Sequence, residues 1–292
     1  MTATVTPLPF VARPFLRWAG GKTKLLPELI KRVPARMENY VEPFLGGGAL
    51  FFALASERER RFERAHLSDV NPDLVAAYVT IRNQPRKLIQ LLHGYREDHA
   101  AHEVRGEGRA HFDEVRAAIG DSNDLRRAAR MIFLNKTCFN GLWRVNRKGL
   151  FNVPYGKRSF AFDEPEILAA SRALEDVEIV CQPYQHALVG RGEGDFIYLD
   201  PPYAAISETS DFVGFAAGGF TLAHQEILAD DARDVAAKGC GVLASNSDLD
   251  FTRHAWASRG FKIDLVTAPR RIAAREASRV PVGEILAWRN VP

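Results

Sequence analysis

Hydrophobic and polar positions alternate along this chain in two distinct ways. From residue 40 to residue 70, and again from residue 177 to the end, short β-rich runs alternate with helical stretches. The helical stretches include Ala49–Arg58 and Leu222–Lys238, and Thr221 is placed to cap the second. This alternation favours an α/β layer with a mostly parallel sheet that ends in an antiparallel pair. The predicted strands are Glu38–Glu42, Ala65–Ser68, Glu178–Cys181, Asp195–Leu199, Gly241–Ser245, Lys262–Val266 and Glu284–Trp288.

The middle of the chain has a different pattern, with almost no strand signal between residues 72 and 134. Residues Gly106–Gly108 interrupt its helical periodicity, and Asn140-Gly141 and Lys148-Gly149 are turn signals. We therefore expect a mostly helical insertion at residues 72–158, ending in a β-hairpin at about residues 135–158. Residues 1–71 and 159–292 then form the domain that carries the sheet. The predicted helices of the insertion are Asp73–Asn83, Pro85–Asp98 and Ser122–Leu134.

The composition fits a soluble globular protein. Of the 292 residues, 46% are hydrophobic and 26% are charged, which excludes disordered and collagen-like classes. No apolar run approaches the ~20 residues of a membrane helix, and Met1–Arg13 lacks the pattern of a secretory signal. The three cysteines, Cys138, Cys181 and Cys240, form no CxxC pair, so we expect neither a disulfide framework nor a metal site. This use of cysteine also predicts a cytoplasmic location. The net charge of +3 permits nucleic-acid binding without indicating it.

Two glycine-containing segments are candidates for ligand binding. Gly21-Lys22-Thr23 is similar to the end of a P-loop, but Leu16 stands where that loop needs glycine, which argues against a nucleotide triphosphatase. The segment from Glu42 to Gly48 follows a predicted strand and opens a helix, so its glycines can bring the backbone close to a ligand. Phe51 stands where a dinucleotide-binding loop needs glycine, which favours a nucleoside without a pyrophosphate. A loop packed into the core is the alternative for both segments.

Acidic residues follow two of the predicted strands. Asp69 is placed to accept hydrogen bonds from ribose hydroxyls, although Asp69 or Asn71 could equally cap the next helix. Asp200-Pro201-Pro202-Tyr203 follows an apolar strand, and its prolines stiffen the turn. The Asp200 carboxylate and the Pro201 carbonyl then form two neighbouring acceptors, with the Tyr203 ring beside them. This set suits a planar base that carries an exocyclic amine.

The predicted hairpin is basic and aromatic, and residues 135–158 include no acidic residue. Basic residues interleaved with aromatic ones suit phosphate contacts combined with base contacts. A solvated basic loop would explain the charge but not the density of aromatic rings. The basic residues are Lys136, Arg144, Arg147, Lys148, Lys157 and Arg158, and the aromatic ones are Phe139, Trp143, Phe151 and Tyr155.

In this order, the motifs resemble those of the DNA adenine methylase (Dam) family, S-adenosylmethionine-dependent adenine-N6 methyltransferases of the α arrangement. The similarity runs from about Phe15 to Trp288, and its most specific parts are the Trp-Ala-Gly-Gly-Lys, Phe-Leu-Gly-Gly-Gly, Asn-Gly-Leu and Asp-Pro-Pro-Tyr motifs. The resemblance implies a Rossmann-like methyltransferase sheet with helices on both faces and an inserted target-recognition domain. It also implies S-adenosylmethionine as cofactor, S-adenosylhomocysteine as product, no metal, and double-stranded DNA as partner. We expect a monomer without an obligate protein partner.

The resemblance also assigns roles to individual positions. The cofactor-site positions are Trp18, Lys22, Phe44, Gly46, Gly48, Asp69 and Asp200. The catalytic turn around a flipped adenine is formed by Asp200, Pro201, Pro202 and Tyr203. The DNA-contacting positions are Arg17, a basic contact, Phe139, an intercalating ring, and the target-reading residues Asn140, Leu142, Arg144 and Pro154. Arg158 departs from the GATC-reading members, which carry tyrosine there, and GATC remains the expected target.

Two other functions are compatible with parts of this pattern. Similar proline-containing turns bind amino groups of RNA or the side-chain amide of glutamine in a protein. A DNA-binding regulator without catalysis is the second alternative. The helical insertion and the basic hairpin favour duplex DNA, and the presence of Trp18, Lys22, Asp69 and Asp200 favours an active enzyme.

Overall fold

The computed structural model describes residues 11–119, 123–146, 148–203, 220–268 and 282–292. Seven strands form one sheet in the order β3-β2-β1-β4-β5-β7-β6, in which β7 is antiparallel to β5 and β6 and the other pairs are parallel. All seven predicted strands are confirmed, and so is the antiparallel end of the sheet. The strands are β1 (Met37–Glu42), β2 (Phe62–Asp69), β3 (Glu178–Cys181), β4 (Asp195–Leu199), β5 (Gly241–Ser247), β6 (Lys262–Ala268) and β7 (Val282–Arg289).

Ten α-helices and one 3₁₀ helix, Phe139–Gly141, are present among the described residues, and half of the α-helices were not predicted from the sequence. The unpredicted helices span five to ten residues, which is too short for a clear helical periodicity; they are α1 (Leu26–Ile30), α5 (Gly108–Ala117), α7 (Glu164–Ala173), α8 (Tyr184–Leu188) and α10 (Asp250–Ala257). The predicted ones are α2 (Ala49–Ala55), α3 (Pro72–Asn83), α4 (Pro85–Val104), α6 (Asp124–Thr137) and α9 (Leu222–Ala237).

Two local signals for helix ends are confirmed. Thr221 caps α9, since its side chain accepts a hydrogen bond from the backbone of His224 in a capping box. The predicted break at Gly106–Gly108 separates α4 from α5, and Gly106 adopts a φ of +76° there. Helix α2 ends at Ala55, three residues before the predicted end at Arg58.

Helices cover both faces of the sheet, as expected. Along β4, Phe196 and Tyr198 join a core cluster that includes residues of α2, α3 and α7. Ile197 and Leu199 point the other way, into a second cluster formed with α8, α9 and α10. Every residue of β4 is buried, so the carboxyl end of this strand is held from both sides.

The helical middle of the chain packs around Phe133 of α6. Its ring lies 5.3 Å from the Tyr95 ring of α4, 6.5 Å from the Phe112 ring of α5 and 5.1 Å from the Phe160 ring. This cluster is continuous with the core of the sheet, and α3 contacts β2 and β3 as well as α6. The division at residues 72 and 158 into two domains stays a prediction.

The predicted hairpin is less regular than expected. Only two isolated antiparallel bridges join its arms within the described residues, Cys138 to Tyr155 and Val145 to Phe151. Asn140 and Gly141 have φ of +56° and +65°, and such left-handed residues interrupt a continuous ladder. Three parts of these predictions lie outside the described residues: Arg147, the start of the predicted helix at Ser122, and the segment at residues 269–281 between the last two strands. Among the described helices, none combines the length and apolar character needed to cross a membrane.

Candidate active site

The candidate site lies where the order of the strands reverses. After β1 the chain continues to β2 and β3 on one side, whereas after β4 it continues to β5 on the other. The loops that leave β1 and β4 therefore diverge and open a crevice at the carboxyl ends of the strands. The glycine loop, defined as residues 43–48, follows β1, and the acidic turn, defined as residues 200–203, follows β4.

The glycine loop passes close beneath an aromatic ring. Gly46 and Gly48 have φ of +46° and +64°, which favours glycine. A Cβ on Gly46 would lie 2.8 Å from the Trp18 indole, and one on Gly48 would lie 2.8 Å from the Tyr78 hydroxyl. Tyr78 also donates a 3.1 Å hydrogen bond to the Gly46 carbonyl. The loop thus needs glycine both for its conformation and for its contacts.

Asp69 connects the end of β2 to the glycine loop. Its Oδ2 accepts a 3.1 Å hydrogen bond from the Gly46 N–H, and its Oδ1 accepts a 3.0 Å bond from the Asn71 N–H. Burial raises the pKa of Asp69, while these N–H donors act in the opposite direction. The cap of α3 is Asn71, not Asp69, because the Asn71 side chain accepts from the N–H groups of Asp73 and Leu74.

The acidic turn is held by a buried ion pair. The Lys22 ammonium lies 2.9 Å from Asp200 Oδ1, and only 4% of the lysine side chain is exposed. Asp200 Oδ1 also accepts a 2.8 Å hydrogen bond from the Ser245 hydroxyl of β5. Both contacts involve the same carboxylate oxygen, and 21% of the Asp200 side chain remains accessible. The carboxylate is therefore fixed at one oxygen and still open to the crevice.

The ring of Tyr203, at the end of the acidic turn, is held in place by a hydrogen bond from its hydroxyl group. The hydroxyl donates a 2.5 Å hydrogen bond to Glu284 of β7. Burial, reinforced by the charge of Asp200, raises the pKa of Tyr203 well above its usual value, so the phenol stays protonated. The Lys22 ammonium lies 4.6 Å from the centre of this ring, which the sequence analysis assigned to base stacking.

Several residues of the crevice were missed by the sequence analysis. The Phe44 ring stacks on Tyr184 at 5.2 Å and meets Phe220 edge-on at 5.9 Å. Tyr184 opens α8 shortly after β3, so an aromatic residue following a strand end was the available signal. Glu42, at the end of β1, is 2% exposed and accepts a 2.7 Å hydrogen bond from Tyr40. Burial raises the pKa of Glu42 to about 8.

One predicted DNA-contacting residue, Arg17, connects the start of the hairpin to the crevice through its backbone. Asn135 of α6 accepts a 2.9 Å hydrogen bond from the Arg17 N–H and donates 2.8 Å and 3.3 Å bonds to the carbonyls of Arg17 and Gly141. Arg17 is followed directly by Trp18, which covers Gly46 of the glycine loop. Four residues after Trp18, Lys22 forms the ion pair with Asp200 of the acidic turn. The start of the hairpin, the glycine loop and the acidic turn are thereby joined.

The hairpin has both buried and exposed side chains among the residues that the sequence analysis singled out. Phe139 is 45% exposed, whereas Trp143 and Phe151 are buried and pack against each other at 4.6 Å. Of the aromatic residues singled out from the sequence, these two therefore form the core of the hairpin instead of facing a partner. Among the predicted DNA-contacting residues, Asn140 and Leu142 are half-buried, whereas the exposed ones are Arg17, Arg144, Pro154 and Arg158. The Arg144 side chain donates a 2.9 Å hydrogen bond to Asn152.

Comparisons of the sequence with a family model and with known proteins agree on the same kind of enzyme. A family model described as D12 class N6 adenine-specific DNA methyltransferase matches residues 18–272. The type II methyltransferase M.MjaIII of Methanocaldococcus jannaschii is 35% identical over 280 residues, covering 91% of this chain and 95% of its own. The type II methyltransferase M1.LlaDCHI of Lactococcus lactis is 33% identical, covering 94% of each chain. The DNA adenine methylase of Vibrio cholerae is 35% identical, covering 94% of this chain and 95% of its own. With this match over most of its length, the chain belongs to the D12 class of N6 adenine-specific DNA methyltransferases.

Proposed function

We propose that this adenine-N6 DNA methyltransferase transfers the methyl group of S-adenosylmethionine to an adenine rotated out of duplex DNA, within the sequence GATC. One observation carries the proposal. The segment from Trp18 to Lys22 contacts the glycine loop at Gly46 and the acidic turn at Asp200, so both loops line one crevice. A nucleoside cofactor and a base bearing an amine can therefore meet there.

The residues around the glycine loop fit S-adenosylmethionine. Gly46 and Gly48 let the loop pack directly against Trp18 and Tyr78, where a Cβ would clash, and Trp18 and Phe44 provide aromatic faces beside the loop. Asp69 is partly exposed, and each of its oxygens has a lone pair beyond the one used by a backbone N–H. These residues would hold the nucleoside part of the cofactor. When bound, its sulfonium supplies a methyl group that is already activated for transfer.

The acidic turn supplies the acceptors for the adenine amine. The Asp200 carboxylate and the Pro201 carbonyl accept the two N6 hydrogens and so orient the nitrogen lone pair. Positive charge develops on N6 during transfer, and acceptors fixed in advance stabilise it. The ion pair with Lys22 and the hydrogen bond from Ser245 keep Asp200 in place.

The hairpin supports recognition of the target in the duplex. An adenine inside the duplex cannot reach the acidic turn, so it has to be flipped out of the stack. Phe139 is exposed at the start of the hairpin and can fill the space the base leaves. Arg144 is exposed on the same loop, and its guanidinium can contact guanine O6 and N7 in the major groove.

Methylation mapping tests this proposal. The chain is expressed in cells that lack adenine methylation, and their DNA is sequenced by a method that detects N6-methyladenine. We expect modification at the adenine of GATC in cells expressing the wild-type chain and none in cells expressing Asp200→Ala. Modification of cytosine, modification at a different sequence, or label found only on RNA or protein in vitro would contradict the proposal.

A further inference from the structure

A chain of three hydrogen bonds ends on the carbonyl of the second proline in the acidic turn. The Ser247 N–H donates to Asn246 Oδ1 at 2.9 Å, Asn246 Nδ2 donates to Gln225 Oε1 at 2.8 Å, and Gln225 Nε2 donates to the Pro202 carbonyl at 2.7 Å. Gln225 and Asn246 are each 1% exposed. We infer that these two buried amides are positioning residues for methyl transfer, which hold the acidic turn in its reactive orientation; this rests on the function proposed for that turn.

The direction of this chain is fixed at both ends. A side-chain amide can be turned so that its oxygen and nitrogen exchange places. The Ser247 N–H can only donate, so the Asn246 oxygen faces it and the Asn246 nitrogen faces Gln225. The Pro202 carbonyl can only accept, so the Gln225 nitrogen faces the turn. Both ends require the same orientation, and the chain therefore delivers an N–H donor to Pro202.

The acidic turn needs such a donor because two of its residues are prolines. Proline has no N–H and a fixed φ, so Pro201 and Pro202 cannot be held by donating backbone hydrogen bonds, and ψ remains their main freedom. A donor on the Pro202 carbonyl fixes the peptide plane that leads into Tyr203. That plane sets the direction in which the chain enters Tyr203. Because the ring of Pro202 fixes its φ, restraining its ψ also restrains the preceding Pro201 carbonyl relative to this plane.

Strand β5 holds the turn from both faces of the sheet. Ser245 and Asn246 are consecutive, so their side chains point to opposite faces. Ser245 donates to the Asp200 carboxylate, and Asn246 acts on Pro202 through Gln225. A shift of about 1 Å in a reacting group can reduce the rate by roughly 10²-fold. Loss of the Gln225 donor is therefore expected to lower the rate of transfer more than it lowers binding.

The test compares Gln225→Met with Thr80→Val. Methionine has nearly the length of glutamine but no donor and no charge. Thr80 of α3 is 2% exposed and donates to the Asp124 carbonyl, so its replacement removes a buried hydrogen bond elsewhere. Steady-state rates are measured over a range of S-adenosylmethionine concentrations on a duplex carrying one copy of the target sequence found by mapping, and active sites are counted by bound S-adenosylmethionine.

We expect Gln225→Met to lower kcat at least tenfold, with KM for S-adenosylmethionine and Kd for the duplex within twofold of wild type. Thr80→Val keeps the wild-type kcat per active site even where it lowers Tm as much. A second variant, Gln225→Glu, regains a donor when its carboxyl is protonated, so its kcat relative to wild type is higher at pH 6 than at pH 8.5.

Two results would overturn the inference: a wild-type kcat per active site in Gln225→Met, or a kcat ratio for Gln225→Glu that stays low and flat with pH. An inactive wild-type protein would contradict the proposed function itself and is thereby distinguished from a failure of this inference.

Discussion

Replacing Glu42 by glutamine tests the electrostatics of the crevice. Glu42 is 2% exposed, accepts a hydrogen bond from Tyr40 and lies near Asp200, whose charge acts on it. Burial raises the pKa of Glu42 from 4.5 to about 8. The folded protein therefore keeps this carboxyl protonated at pH values where the unfolded chain has already released the proton.

The sign and size of the effect follow from this difference in proton binding. Below pH 4.5 both states are protonated and the carboxyl costs no stability. Between pH 4.5 and about 8 the folded state binds more protons than the unfolded state, so the free energy of unfolding decreases as pH rises. The slope is at most about 1.4 kcal/mol per pH unit. Over the whole window the loss is about 5 kcal/mol, and it is complete above the folded pKa.

Urea denaturation at several pH values between 5 and 9, followed by circular dichroism, measures this term. Glutamine has the shape of the protonated acid and cannot ionise, so Glu42→Gln gains stability relative to wild type by up to about 1.4 kcal/mol per pH unit towards pH 8. Glu63→Gln, which removes an exposed carboxylate on β2, controls for the loss of one charge. Parallel stability curves for wild type and Glu42→Gln would refute the reasoning.

Three further predictions concern binding and recognition. Gly46→Ala places a Cβ 2.8 Å from the Trp18 indole, so calorimetry should show at least tenfold weaker S-adenosylmethionine binding. In the control Gly47→Ala the new Cβ lies 3.4 Å from the Trp18 Cβ, and binding should stay near wild type. Equal affinities of the two variants would contradict this. Arg144→Ala should lose ~1–3 kcal/mol of discrimination against a substituted guanine, read as a ratio of kcat/KM values, and an unchanged ratio would argue against its role. Phe139→Ala should reduce the fluorescence of 2-aminopurine placed at the target adenine, and undiminished fluorescence would exclude it from base flipping.

The central strands could be predicted from sequence because β4 and β5 are buried on both faces. Asp195–Leu199 is a short apolar run between polar turns, and such runs are typical of central parallel strands. The short helices could not be predicted, since α1 and α8 have five residues each and show no full period. A hairpin was predicted, but its left-handed residues and Pro154, which has no N–H, leave its arms joined by two isolated bridges within the described residues.

The site was predictable where motifs directly follow strands. The carboxyl ends of parallel strands meet at one edge of the sheet, so the glycine loop and the acidic turn were expected to be neighbours. The contacts that join them involve side chains far apart in sequence, such as Lys22 on Asp200 and Asn135 on Arg17. No local pattern indicates such pairs, and the roles of the individual site residues stay predictions.

The central claim is that the acidic turn performs methyl transfer on the adenine amine. Its most direct test is a single-turnover measurement of methyl transfer by Asp200→Ala alongside the affinity of the same protein for the target duplex. Asp200→Asn is the companion variant, because its amide oxygen can still accept from Lys22 and Ser245. The account predicts that transfer falls by at least ~10²-fold in both variants while duplex affinity stays within a few-fold of wild type. Transfer at a near wild-type rate in either variant would contradict it.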